Sequence, residues 1–260
     1  MIPVFVISLP DCHDRRAGIS AALDGLGLPF QFADAVDGRR GLPPERESEI
    51  DRTEARRKGN FLTDAEFACA LSHIDVYRRI VSESIAHALV LEDDAVPRPD
   101  WVPYLAGRHY EDAALTQLVC HDRKAAYVGR SGAKRLFDGY RSHPRTPGFN
   151  LIGASGYVIS HRAARHFIDG ALPVTGVADW PDCVEALVAR RECRIVHPFL
   201  VLHPDHGASL IERSRRRNND RNKEMRRVLG VYVPPFRRTV DAWKRAPMKP
   251  FRRRLPAGGT

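Results

Sequence analysis

The segment Ala88-Leu89-Val90-Leu91-Glu92-Asp93-Asp94-Ala95-Val96 constrains the fold more than any other part of this chain. An apolar run of strand length stops at three consecutive carboxylates. Adjacent carboxylates repel one another, and none is stable in an apolar interior without a partner. Such a run therefore places its strand inside and its end in a crevice. In an open α/β sheet the carboxyl ends of the strands are where ligands bind. Hard oxygen donors grouped there suit a divalent ion with a phosphate ligand. A buried strand running into a solvated acidic turn has the same letters, so the segment alone leaves both readings open.

A chain of 260 residues can bury a sizeable core, as one large domain or two small ones. The apolar fraction of 43% and charged fraction of 28% are those of a globular protein. No apolar stretch approaches the ~20 residues that span a bilayer. The opening Met1-Ile2-Pro3-Val4-Phe5-Val6-Ile7-Ser8 has no basic start and reads as a first strand, not as a signal peptide. Cys12, Cys69, Cys120, Cys183 and Cys193 are odd in number, scattered and without a C-x-x-C pair. That argues against a disulfide framework and a structural zinc site, and it fits a reducing cytoplasm.

Charge is unevenly spread. From Glu212 to Thr260 there are 16 Lys and Arg against 4 Asp and Glu, leaving 25 against 28 in residues 1–211. The net +9 is thus +12 in the tail and −3 in the rest. A basic tail carrying Phe236, Trp243, Met248 and Phe251 suits an anionic membrane surface. A solvated tail without a partner is the plainer alternative, and nucleic acid is the least favoured partner.

Along the chain, Val4–Leu9 reads as a strand and Asp11 to about Leu26 as a helix stopped by Gly27. Phe30–Ala33 reads as a second strand closed by Asp34 and the Asp37-Gly38 turn. Residues 39–60 are charged and aperiodic, hence a loop. Thr63-Asp64-Ala65-Glu66 is a capping-box pattern, and Phe67, Ala70, Leu71, Ile74, Tyr77 and Val81 then keep helical spacing. After the acidic strand, residues 101–150 are poorly legible, with Ala126–Val128 a possible strand. Leu151–Ser160 reads as a strand, His161–Ile168 and Pro181–Arg191 as helices, and Arg194–His197 as a late strand. Strands alternating with helices predict α/β with a mostly parallel sheet.

Seven segments in one order resemble glycosyltransferase family 25, the bacterial lipopolysaccharide and lipooligosaccharide glycosyltransferases related to collagen galactosyltransferases. They are V-F-V-I-S-L-P-D-C-H-D-R-R, F-Q-F-A-D-A-V-D-G, L-T-D-A-E-F-A-C-A-L-S-H, A-L-V-L-E-D-D-A, G-A-S-G-Y-V-I-S-H-R-A-A, V-A-D-W-P-D and H-P-D-H-G-A-S-L-I-E-R-S-R. The resemblance spans about residues 4–215. It implies a GT-A-like nucleotide-binding fold, a mostly parallel mixed sheet flanked by helices, over residues 1–213, with 214–260 as a basic tail. It also implies a hexosyltransferase. The donor would be a UDP-sugar, most often UDP-galactose, and the sugar would pass with inversion to a glycan or glycolipid acceptor, with Mn²⁺ or Mg²⁺ as cofactor.

Under that resemblance, Asp94 is the expected metal ligand, with Glu92 or Asp93 meeting the metal's water or the ribose. His206, in a late loop, is a further candidate ligand, with His203 the alternative, and Ser209 a diphosphate contact. Ser8 and Leu9 end the first strand where base and ribose would lie. Arg15 or Arg16 would pair with phosphate or simply decorate their helix. Asp34 and Asp37 would touch uridine or make a turn. Glu66, Ser72 and His73 sit on the helix before the acidic motif, as donor-site residues or as cap and core. The base that takes the acceptor proton should be a carboxylate, and Asp179 leads Asp182. Trp180 is placed to stack on a sugar face. Gly153, Ser155 and Gly156 allow close backbone approach to a ligand or tight sheet packing. A peripheral position on the cytoplasmic side of the membrane fits a lipid-linked acceptor.

Overall fold

The computed structural model describes residues 2–119, 131–146 and 153–202. Among them, strands β1 (Val4–Ser8), β2 (Gln31–Asp34), β3 (His87–Glu92), β5 (Leu115–Gln117), β6 (Lys134–Arg135), β7 (Arg141–Pro144), β8 (Gly156–Ser160) and β9 (Cys193–His197) form one sheet. Its order is β2-β1-β3-β8-β5-β9-β7-β6. β4 (Val96–Pro97) and β10 (Val201–Leu202) make a separate antiparallel ribbon. The sheet is mixed, as expected, with less parallel character than the strand–helix alternation predicts. β2–β1, β1–β3 and β5–β9 are parallel, whereas the junctions of β3–β8, β5–β8, β9–β7 and β7–β6 are antiparallel. An antiparallel β8 cannot be told from a parallel one by its letters, because both are buried apolar runs.

The chain order sets where a ligand can bind. β1 lies between β2 and β3, so the connection from β1 leaves to one side and the next returns to the other. Helix α1 (His13–Gly25) serves the first connection and α3 (Asp64–Ser82) the second. Right-handed crossovers in opposite directions put these helices on opposite faces. Strand periodicity shows it: Val4, Val6, Leu89 and Leu91 pack with Ile19 and Leu23 of α1. Phe5, Ile7, Ala88 and Val90 pack with Phe67, Leu71 and Ile74 of α3. Leu89 and Leu91 have no exposed surface, each contributing roughly 1.5–3 kcal/mol by burial. The carboxyl ends of β1 and β3 are thus the topological switch point, where ligands bind in open α/β sheets.

α3 begins with the predicted capping box. Glu66 N donates to Thr63 Oγ1 at 3.2 Å and Thr63 N to Glu66 Oε2 at 2.8 Å. The aperiodic stretch 39–60 is not all loop. It holds a 3-10 turn (Pro44–Glu49) and helix α2 (Arg52–Arg57), capped by the Asp51 side chain. Charged arginine-rich segments hide short helices because their stability comes from caps and ion pairs, not from an apolar stripe. Helix α4 (Trp101–Ala106), β5 and β7 occupy the poorly legible region, and Ala126–Val128 lies outside the described residues. The strand predicted over Leu151–Ser160 begins at Gly156, followed by α5 (His161–Ala171). The helix predicted over Pro181–Arg191 shortens to α6 (Val184–Ala189).

Gly38 has a structural reason. A Cβ there would meet Asp64 O at 2.4 Å and Ala65 Cα at 2.7 Å, both backbone atoms at the start of α3. Gly38→Ala is expected to destabilise the protein by about 1–3 kcal/mol, because neither neighbour can swing aside. Urea denaturation checks it, and an unchanged midpoint would mean that this loop is free to retreat.

Candidate active site

The three acids separate according to strand geometry. Glu92 continues the parity of Ala88 and Val90 and points to the α3 face; its Oε1 lies 3.2 Å from His73 Nε2. Asp93 leaves on the α1 face, where Ser8 Oγ donates to its Oδ2 at 2.7 Å. Arg15, from the first turn of α1, donates through Nη1 to Asp93 Oδ1 at 2.5 Å and through Nη2 to Asp94 Oδ2 at 3.3 Å. One guanidinium thus bridges two adjacent carboxylates whose side chains are only 8% and 11% exposed. Burial pushes the Asp93 carboxyl above its usual range, against the opposing pull of the Ser8 hydroxyl and the Arg15 charge. The oxygens of Asp93 and Asp94 form a hard donor set at a strand end, which fits Mg²⁺ or Mn²⁺.

Arg16 closes the adjacent corner. Its Nη2 donates to Ser8 O at 2.9 Å and to Asp34 Oδ1 at 2.5 Å, its Nε to Leu9 O at 3.2 Å, and its guanidinium lies 4.4 Å from the Phe32 ring centre. Parallel register sets Ser8 beside Asp34. Ser8, Leu9, Arg15, Arg16, Asp34, Asp93 and Asp94 therefore converge, although they come from four elements, β1, α1, β2 and the end of β3. Asp37 instead pairs with Arg39, which also holds Asp11.

Other expected residues have structural work. Ser72 Oγ donates to Ala68 O at 2.8 Å and accepts from Val36 N at 2.9 Å, pinning the segment after β2 to α3. Glu66 is the cap acid already described. A Cβ on Gly156 would lie 2.9 Å from Val201 Cγ2, so that glycine admits the β10 strand rather than a ligand. Trp180 is buried, edge-on to Tyr157 with centroids 5.3 Å apart, and the Arg145 guanidinium lies 5.4 Å from its ring centre. It is a core residue, and the expectation of a sugar platform is corrected. His203, His206 and Ser209 lie outside the described residues.

The two candidate bases fall in different surroundings. Asp179 Oδ1 accepts from Ala154 N at 2.8 Å and Gly153 N at 3.3 Å, which ties it to the chain entering β8. Its charge is felt, with those of Glu92, Asp94 and Glu66, at the Cys69 thiol, whose ionisation is pushed well up, chiefly by burial. Asp182 is 85% exposed and pairs with Lys58 Nζ at 2.9 Å, and none of its bonds reaches the acidic motif. Two residues escaped the sequence reading. Cys69 stands one turn before His73, and Tyr157 places its hydroxyl 2.7 Å from His73 Nδ1 and donates to Tyr77 Oη at 2.9 Å. The Cys69-x-x-x-His73 spacing was the available signal for the first; the parity of Tyr157 within its strand was the signal for the second.

Residues 1–106, which contain this whole corner, match the profile of glycosyltransferase family 25 (LPS biosynthesis protein). Over this segment the chain is similar to glycosyltransferase family 25. A relative, the lacto-N-neotetraose biosynthesis glycosyltransferase LgtE of Neisseria meningitidis, is 30% identical over 198 residues, 69% of this chain and 64% of that protein. The lipooligosaccharide biosynthesis protein lic2B of Haemophilus influenzae is 27% identical over 176 residues, 62% of this chain and 60% of that one. A mouse relative named inactive glycosyltransferase 25 family member 3 is 34% identical over 95 residues, 35% of this chain and 16% of its own length. This chain spans under two thirds of these relatives. Among solved structures, A197 from STIV overlays with a TM-score of 0.42 at 9% identity, covering 79% of this chain and 86% of that one. That likeness is too loose to carry an argument.

Proposed function

We propose that this chain is a family 25 hexosyltransferase, moving galactose from UDP-galactose with inversion to a lipopolysaccharide or lipooligosaccharide glycan. One observation carries the reading: Ser8, Arg15, Asp93 and Asp94 converge at the carboxyl ends of β1 and β3, in the segment that matches the family. A divalent ion, Mn²⁺ or Mg²⁺, held by Asp94 with Asp93, would supply Lewis-acid neutralisation of the departing diphosphate when bound; Glu92, turned to His73 on the other face, stands apart from this pair. The chain's own residues do the rest. Arg15, released from its carboxylates, pairs with a phosphate, a charge-assisted contact. Arg16 keeps Asp34 and the Leu9 carbonyl in place beside the uridine. Asp179 accepts the proton of the attacking acceptor hydroxyl.

The reading is tested by UDP release from a panel of UDP-sugars, with Mn²⁺ and with EDTA. Release from one sugar, abolished by EDTA, identifies the donor and supports transfer. The inactive name carried by the mouse relative favours a second reading, a nucleotide-sugar-binding protein without turnover. UDP-sugar binding with no release, whichever glycan acceptor is offered, would establish it.

The basic tail, outside the described residues, is proposed to hold the protein on an anionic membrane face in the cytoplasm, where a lipid-linked acceptor is presented. Among the described residues no helix is long and apolar enough to cross a membrane. Removing residues 214–260 is expected to weaken sedimentation with phosphatidylserine-containing vesicles at least tenfold, about three unit charges at ~1 kcal/mol each being ample. Unchanged sedimentation would overturn this role for the tail.

A further inference from the structure

The acidic motif has a second neighbourhood on its α3 side, made of different atoms. Cys69 and His73 project from consecutive turns of α3, as the four-residue spacing requires, and Glu92 meets them from the end of β3. The Cys69 sulfur, a His73 ring nitrogen and a Glu92 carboxylate oxygen all lie within 4.8 Å of one another. His73 is buried, while Cys69 and Glu92 are partly open. We propose that Cys69, His73 and Glu92 form a binding site for a zinc-like ion, distinct from the hard-oxygen site of Asp93 and Asp94.

Two physical points carry this. The first is donor chemistry. A thiolate, an imidazole and a carboxylate suit Zn²⁺, whereas Mg²⁺ and Mn²⁺ favour oxygen alone. Three protein ligands also leave one position of a tetrahedral ion open, as in zinc sites that bind a further small ligand. The second is orientation. His73 Nδ1 is held by Tyr157 Oη at 2.7 Å, and Tyr157 is anchored on Tyr77, so Nε2 is the nitrogen turned toward Glu92. A metal-binding histidine commonly has its other nitrogen fixed in this way. Zinc binding replaces the thiol proton, which leaves to solvent as the Zn–S bond forms. The scattered cysteines argue, by sequence alone, against a structural zinc site; the proposed site departs from that expectation because it needs only one cysteine and the fold supplies its other two ligands.

The test uses the full chain and the metal alone. Zn²⁺ is titrated calorimetrically, and Co²⁺ is used as a spectroscopic substitute that shows a sulfur-to-metal charge-transfer band only if Cys69 ligates. One ion per chain, the sulfur band, and a loss of about 100-fold in zinc affinity for both Cys69→Ser and Cys69→Ala are expected, a first-sphere ligand costing at least as much as the 10–100-fold known for outer-sphere partners. Asp94→Ala should keep the sulfur band. Thermal melts of each variant confirm that it is folded. A cobalt complex without the sulfur band, or zinc affinity unchanged in folded Cys69→Ala, would overturn the site. Neither readout depends on sugar transfer, so the proposal and the transferase reading fail separately.

Discussion

Asp94→Ala is expected to slow sugar transfer by about 10³-fold or more while leaving the fold intact. The activity loss follows from the proposed role. A ligand that holds the ion against the leaving diphosphate contributes several kcal/mol to the transition state, and ~4 kcal/mol corresponds to a factor of about 10³. The intact fold follows from geometry. Asp94 meets Arg15 at 3.3 Å, and the 2.5 Å pair between Arg15 and Asp93 survives its removal. UDP-release rates measured beside urea denaturation separate the two effects. A rate within tenfold of wild type would remove Asp94 from the chemistry. A lower unfolding midpoint would instead make the carboxylate a structural partner of Arg15.

Trp180→Ala should show the opposite pattern, a loss of about 3–5 kcal/mol of stability. Trp180 is 6% exposed. Its removal takes away the edge-to-face contact with Tyr157 and the guanidinium contact of Arg145. Tyr157 in turn holds His73, so the cavity opens beside the site. The backbone at Trp180 has φ of 66°, a left-handed conformation costly for a bulky side chain. Packing and the bond from Trp180 N to Ala178 O at 2.7 Å hold it there. Denaturant unfolding measures the loss. Had Trp180 been a sugar platform, the alanine variant would keep its stability and raise KM for donor or acceptor, and that outcome would return it to the substrate site.

The elements legible in the sequence are those whose signal is local. α3 announces itself by the Thr63–Glu66 cap and a clean apolar period, and β1 and β3 by short runs bounded by polar residues. α2 carries no apolar stripe and depends on the Asp51 cap and on pairs such as Arg52 with Asp64. β5 is too short, at three residues, to show any period. The same limit governs the site. Asp179 and Asp182 are three positions apart and chemically identical, yet one is bound by backbone amides entering β8 and the other faces solvent beside Lys58. Trp180 and Gly156 read equally well as ligand contacts and as packing, because both roles select the same residue types.

The sequence by itself determined that a buried strand ends in Glu92-Asp93-Asp94, that a capped helix precedes it, and that a basic tail follows a mildly acidic body. It also ordered the segments that mark the family. Only the tertiary structure decided what neutralises the acids. Arg15 and Ser8 stand 78 and 85 residues from Asp93 in the chain and reach it because β1 lies between β2 and β3. Strand parity then sends Glu92 to His73 and Asp93 to Arg15, splitting one acidic motif between the two faces of a sheet. Local propensity acts over a few residues, while electrostatic partnership acts over a few ångströms, and only the fold converts the one distance into the other.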